Sequence, residues 1–415
     1  MIPGQRVPAP PSTAVRGVAR RRARPHRHPA ADQGGPVPWS RLRRVLAVRP
    51  DNLGDVVMLT PALRALRRAL PVEARIDLLA SPAGAAARQL LPDVDGMLVV
   101  SPSWQDASGR AEADPVRAAW REHALVKMVA ARDYDAMLVF TSARQSPWPA
   151  AHVGMLAGIG VRAVHSTEFG GAVATHWVTP PSERTHQVDR CLHLLGALGV
   201  PDAGRELDLR VPPEAEVAAT AALGRAGLPP GAPFALLAPG ASCATRRYPA
   251  DRFAAVARHL AEAGLPTVVT GSHREDALVA RVVSEAGHPG VRPLEQVGVP
   301  VLAAVVASAR VVLCNNSGCM HLADALGTPV VVAYSGSERL GDMRPRGVPA
   351  ALLRRSVPCS PCRQFRCPYA LECLDIGPDE LAVEALRLVG DARDERDGRG
   401  EREPEPVSAG EGRSG

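Results

Sequence analysis

Three short segments of the chain carry residue types that could do chemistry together. The first, Asp51-Asn52-Leu53-Gly54-Asp55, ends an apolar run and opens an amphipathic stretch. Gly54 permits a tight backbone turn. Asp55 falls at a helix N-terminus, where the dipole favours a carboxylate. Such a group could take a proton from a hydroxyl as a general base. The same position suits an N-cap or first-turn acid, and the local sequence leaves both readings open. The second segment, Gly240-Ala241-Ser242-Cys243-Ala244-Thr245-Arg246-Arg247, is a small-residue loop ending in two arginines. Small residues let backbone N–H groups approach an oxyanion, and arginine offers phosphate a bidentate fork. A plain loop with surface arginines is the alternative. The third, Asn315-Asn316-Ser317-Gly318-Cys319-Met320-His321, is a polar turn that starts a helix. Its free N–H groups form an anion site, and His321 could face a ligand there or simply pack.

Positioning these loops requires strands before them and helices after. Residues 44–49 read as a strand, and Val56, Leu59, Leu63, Leu66 and Leu70 recur at helical spacing. Further strands are expected at 75–79, 97–100 and 136–140, with helices between them. The grammar restarts with a helix over 214–226 and a Gly/Pro linker at 227–231. Strands follow at 234–238, 267–270, 311–314 and 329–334, with helices at 251–262, 275–285, 301–307 and 319–326. Strand–helix alternation implies right-handed βαβ units and parallel sheets, whose ligands bind beyond the carboxyl ends of the strands. The expected architecture is α/β: two Rossmann-like doubly wound sheets, in residues 44–228 and 229–388, facing a central cleft. Residues 1–43, rich in Arg and Pro, and the tail 389–415 read as disordered.

Composition narrows the function. The chain has 415 residues, 49 Lys+Arg against 43 Asp+Glu, and a net charge of +6. Residues 1–44 hold ten Arg and one Asp, so the excess is an arm on a nearly neutral body. A nucleic-acid partner is therefore not expected. Lys127 is the sole lysine and lies outside any G-x-x-x-x-G-K-[ST], which excludes a P-loop ATPase. No apolar h-region and no uninterrupted 18-residue apolar run is present. The expected location is the cytoplasm, with room for peripheral contact at the inner face of a membrane.

Four pieces, in order, resemble the glycosyltransferase family 9 enzymes, the heptosyltransferase family of lipopolysaccharide core synthesis. They are Arg49-Pro50-Asp51-Asn52-Leu53-Gly54-Asp55-Val56-Val57, Pro239-Gly240-Ala241-Ser242 with Arg246-Arg247-Tyr248-Pro249, Thr270-Gly271-Ser272, and Asn316-Ser317-Gly318-Cys319-Met320-His321-Leu322-Ala323. The likeness covers roughly residues 44–388. It implies the GT-B fold, with an acceptor-side N-terminal domain and a nucleotide-sugar-binding C-terminal domain. It implies inverting, metal-independent transfer from ADP-heptose or a similar donor to a hydroxyl of a glycan, glycolipid or glycoside, with no cofactor required. Asp55 takes the place of the family's catalytic base. Ser242, Thr245, Arg246, Arg247, Asn316, Ser317, Gly318 and His321 take the donor and phosphate positions. Glu275 takes the ribose-binding position, with Asp276 adjacent, and Gly54 and Gly240 shape their loops. The chain departs from the family in carrying Arg246 for a usual Lys and Asn316 for a frequent Asp, which leaves the donor's identity open.

Cys359, Cys362, Cys367 and Cys373 hold half of the eight cysteines within 15 residues. Four clustered thiols could hold a structural zinc or stay reduced. The resemblance, which puts the acceptor on the N-terminal domain, implies acceptor contacts from loop residues such as Trp104, Arg144, Trp148 and His165. Two alternatives remain: a GT-B protein that binds a nucleotide sugar without turnover, and a transferase using a different nucleotide sugar.

Overall fold

The computed structural model describes residues 36–105 and 114–400 of the chain. Its frame is two six-stranded parallel sheets. The first contains β1 (Arg44–Arg49), β2 (Arg75–Ala80), β3 (Gly96–Val99), β4 (Ala136–Val139), β5 (Val161–His165) and β6 (His176–Val178). The second contains β7 (Ala235–Ala238), β8 (Thr267–Val269), β9 (Val291–Pro293), β10 (Val311–Asn315), β11 (Val330–Ala333) and β12 (Ala350–Leu353). The orders are β3-β2-β1-β4-β5-β6 and β12-β11-β10-β7-β8-β9, so both sheets are wound alike. Each reverses direction beside its first strand, between β1 and β4 and between β7 and β10, in the registers Val45↔Ala136 and Val311↔Ala235. The central strands are almost continuously apolar because helices cover both of their faces. Val45 to Val48 and Val311 to Val312 have no exposed surface.

Several elements differ from the sequence expectation. The helical stretch from Val56 to Leu70 is two helices, Leu53–Val57 and Thr60–Ala69, with Pro61 in the first turn of the second. Proline fits a first turn because its missing N–H would be unpaired there anyway. Strands β5, β6, β9 and β12 were not anticipated. Their short runs, such as His-Trp-Val and Val-Arg-Pro, carry little period-2 signal. The helix Pro213–Arg225 packs on Val299–Ser308, and its Ala219 and Ala222 join the core of the second sheet. The crossing between the halves therefore lies upstream of residue 228.

Both expected tails are partly structured. Val37, Trp39 and Leu42 are buried against the first sheet's helices, and Trp39 Nε1 donates to the Leu198 carbonyl at 2.9 Å. At the other end the chain is helical over Pro378–Gly400, so residues 389–400 are not the disordered segment expected. Leu381, Ala385 and Leu388 bury against the second sheet. The rest of the arm, residues 1–35, and of the tail, residues 401–415, lies outside the described residues. Among the described residues no helix is long and apolar enough to cross a membrane.

Candidate active site

The carboxyl ends of both sheets face one cleft of about 1490 Å³. That exceeds the several hundred Å³ of an ordinary small-ligand pocket and leaves room for a nucleotide sugar and an acceptor together. The loops after β1, β4, β7, β10 and β11 line it, so both reversal points of the sheets open into the same space.

On the N-terminal side Asp55 stands at the cleft in the first turn of Leu53–Val57. Its Oδ1 accepts from Arg49 Nη2 at 2.7 Å, and its Oδ2 accepts from the Asn52 N–H at 3.3 Å. The carboxylate thus takes part in a capping box while standing at the cleft. Arg49, at the end of β1, has no exposed surface. Its Nη2 also donates to Ser142 Oγ at 2.8 Å, and its Nε lies 3.1 Å from Asp51 Oδ2. Burial opposes the Arg49 charge, but Asp51 and Asp55 outweigh it and hold its pKa above the ordinary value. Asp51 accepts from Gln145 Nε2 at 2.9 Å, and burial pushes its carboxyl pKa up against the pull of Arg49. A buried guanidinium, hydrogen-bonded to Asp55 and ion-paired with Asp51, fixes the direction in which Asp55 points.

The second half supplies the anion-binding features. Helix Gly318–Leu326 starts at the cleft with Ser317 as its N-cap, and the Ser317 side chain makes no capping bond. The first N–H groups of a helix are free for a ligand. His321 is buried, and burial lowers its pKa to about 4 against the pull of Asp55. It is therefore a neutral imidazole near pH 7, a hydrogen-bonding group rather than a cation. Arg246 Nε donates to Ser337 Oγ at 3.3 Å, and Arg246 Nη2 pairs with Glu338. Arg247 folds back on its own loop, donating to the Ala241 carbonyl at 3.0 Å. Glu275 faces the cleft and bonds the Ser272 N–H at 2.9 Å. Asp276 turns away from the cleft, toward His273 and Gln296.

The two glycines act by making space. Gly54 has no positive φ. A Cβ there would fall 2.5 Å from His321 Cδ2, so Gly54 admits the opposite half's imidazole rather than enabling a turn. A Cβ on Gly240 would fall 2.1 Å from Glu275 Oε1. Across the same seam Asp189 takes a bidentate pair from Arg346 at 2.7 and 3.0 Å.

Asp55, Ser242, Arg246, Arg247, Glu275, Asn316, Ser317, Gly318 and His321 all line the cleft, and Thr245 does not. The Thr245 hydroxyl and N–H bond the Gln364 and Phe365 carbonyls, which anchors a neighbouring loop. Asn316 is buried and accepts from the Ser335 N–H at 3.1 Å, tying the β10 and β11 loops together. Of the expected acceptor residues Arg144 lines the cleft, held by Glu183 at 3.0 Å, while Trp104, Trp148 and His165 do not. His165 is buried beside His193, and Trp148 packs edge-on to Trp177. Sequence reasoning missed Arg49, Gln145, Arg190 and Glu338. A charged residue closing an apolar strand was the available signal for Arg49.

Cys359, Cys362, Cys367 and Cys373 are free thiols. They lie near one another, since the other three add to the burial that raises the Cys373 pKa. Among the described residues, however, no group of three or more His, Cys, Asp or Glu side chains is arranged to hold a metal. Backbone bonds tie Cys362 to Gly336 and Cys373 to Arg355, and Cys359 is left exposed. Of the two possibilities for the cluster, a structural zinc has no ligand set in this arrangement of the described residues.

Two like-wound Rossmann sheets with their reversal points on one cleft define a GT-B protein. Residues 122–371 match the family model for glycosyltransferase family 9 (heptosyltransferase), and the chain belongs to that family. It is a glycosyltransferase. Lipopolysaccharide heptosyltransferase 1 of Pseudomonas aeruginosa is 24% identical over 341 residues, 79% of this chain and 88% of the relative. The solved ADP-heptose lipopolysaccharide heptosyltransferase II of E. coli has a TM-score of 0.66 at 19% identity, over 84% of this chain and 99% of its own. The E. coli heptosyltransferase WaaC with ADP-2-deoxy-2-fluoro heptose has a TM-score of 0.58 at 18% identity, over 84% and 99%. At these identities the structural likeness establishes the fold.

Proposed function

We propose that the chain moves a heptose or a related sugar from an ADP-activated donor to a hydroxyl of a glycan, glycolipid or glycoside, with inversion and with Asp55 as general base. The observation that carries this reading is one cleft with a held carboxylate on one wall and an arginine, a neutral imidazole and a helix N-terminus on the other. The half upstream of the helix Pro213–Arg225 takes the acceptor side, and the half that begins with that helix takes the donor side. Asp55 draws the proton from the acceptor hydroxyl as that oxygen attacks the anomeric carbon. The bond from that carbon to the diphosphate oxygen breaks, and a single displacement inverts the centre. Charge grows on the departing diphosphate. Arg246, Arg247 and the N–H groups after Ser317 stabilise it, so the reading requires no metal. His321 donates one neutral N–H beside them. Glu275 accepts the ribose hydroxyls.

The choice of ADP and heptose is supported by the family and by the solved relative that holds ADP-2-deoxy-2-fluoro heptose. An acceptor of lipid-linked type would bring the protein to the inner face of a membrane. A thermal-shift panel of ADP-, GDP-, UDP- and dTDP-sugars tests the donor, because a bound ligand raises stability with its affinity. A preference for ADP-heptose is expected, and equal shifts across the panel would refute the assignment.

A further inference from the structure

The guanidinium assigned to the donor phosphates is already occupied. Arg246 Nη2 is paired with the Glu338 carboxylate, and Arg246 Nε donates to Ser337 Oγ. Both partners of the ion pair are mostly shielded, with side chains 23% and 18% exposed. Both line the cleft with Asp55. The backbone that carries Glu338 is fixed from below: Asn316 holds the Ser335 N–H, and Ser335 Oγ and Ser337 Oγ lie 2.8 Å apart. Glu338 therefore sits on a tethered strap beside Arg246, and only its side chain has freedom to leave. Burial raises the Glu338 carboxyl pKa, with Arg246 opposing and the nearby Asp55 adding to the rise. A second anion brought to this spot would meet a carboxylate already in place, and one guanidinium cannot give the same N–H groups to both.

We propose that Glu338 is a resident counter-anion of the phosphate site: it holds Arg246 in the empty cleft, and a nucleoside diphosphate binds by displacing it. The inference rests on the assignment of Arg246 to the donor phosphates. It has two consequences. The exchange favours a diphosphate, whose two linked phosphates can take the released N–H groups and the neighbouring helix N-terminus together, over a monophosphate, which spans less of the site. It also gives the product a competitor inside the site, since the returning carboxylate pushes ADP out after transfer.

The test measures ADP and AMP affinities by calorimetry on the full chain and on Glu338→Gln, Arg246→Ala and the double variant. Removing a competing charge-assisted bond should tighten ADP binding about tenfold in Glu338→Gln. AMP, the weaker competitor, should gain more than ADP, so the preference for ADP narrows. The gain should vanish in the Arg246→Ala background, where there is no guanidinium to release. A purely structural role for Glu338 would shift the melting temperature without this dependence on Arg246. Unchanged or weaker ADP binding by Glu338→Gln, with Arg246→Ala still weakening it, overturns the inference alone. ADP affinity unaffected by Arg246→Ala overturns the phosphate-site assignment beneath it.

Discussion

Replacing Gly54 by alanine perturbs the seam between the halves at the base itself. The new Cβ would fall 2.5 Å from His321 Cδ2, where ordinary contact begins at 3.4 Å, so the loop or the imidazole must yield by about 0.9 Å. The backbone does not oppose the change, because Gly54 has no positive φ. Alanine gains up to about 1 kcal/mol over glycine in a helix. Stability should therefore hold while geometry suffers. A displacement of about 1 Å at a reacting group costs on the order of 100-fold in rate. Steady-state turnover of Gly54→Ala should fall by about that factor, with the melting temperature near that of the parent chain. In a His321→Ala background the clash is gone, and Gly54→Ala should add little further loss. Near-normal turnover of the single variant, or an equal loss in both backgrounds, would refute the argument that this contact sets the position of Asp55.

Trp39→Phe removes the buried indole donor to the Leu198 carbonyl. It should lower unfolding stability by roughly 1–3 kcal/mol in urea titrations, with turnover per folded molecule unchanged. The His321 imidazole should titrate by NMR near 4 instead of the ordinary 6.5. Its folded-state pKa is the depressed one, so the unfolded chain binds the proton first. This histidine therefore costs stability as pH falls from 6.5 through 4, and His321→Gln should show a shallower acid decline in urea midpoints.

Much of the frame was legible because it is local. Strand β1, the loop to Asp55, the strand before Arg246 and the turn at Ser317 each announce themselves by an apolar run followed by polar and glycine residues. The split at Pro61 was missed because both helices share one apolar periodicity. Edge strands β6 and β9 were missed because three residues with a histidine, a tryptophan or a proline give no alternation to read. Most of the expected site residues line the cleft, and they stand next to turns. What they touch was not legible: His321 against Gly54 spans the two halves, Thr245 reaches Gln364, and Glu338 reaches back to Arg246. Those pairings depend on how two sheets face each other, and no local pattern encodes that. The tails were misjudged for a related reason. Trp39 and the helix Pro378–Gly400 are ordered by surfaces formed from distant chain.

The central claim is that the carboxylate of Asp55 takes the proton during transfer. Asp55→Asn keeps the side chain's shape and leaves Asp51 to pair with Arg49. Transfer from ADP-heptose should be followed in a single turnover alongside ADP binding by calorimetry. Transfer about 100- to 10,000-fold slower, with ADP affinity nearly unchanged, is the predicted result. Transfer at close to the parent rate would contradict the account.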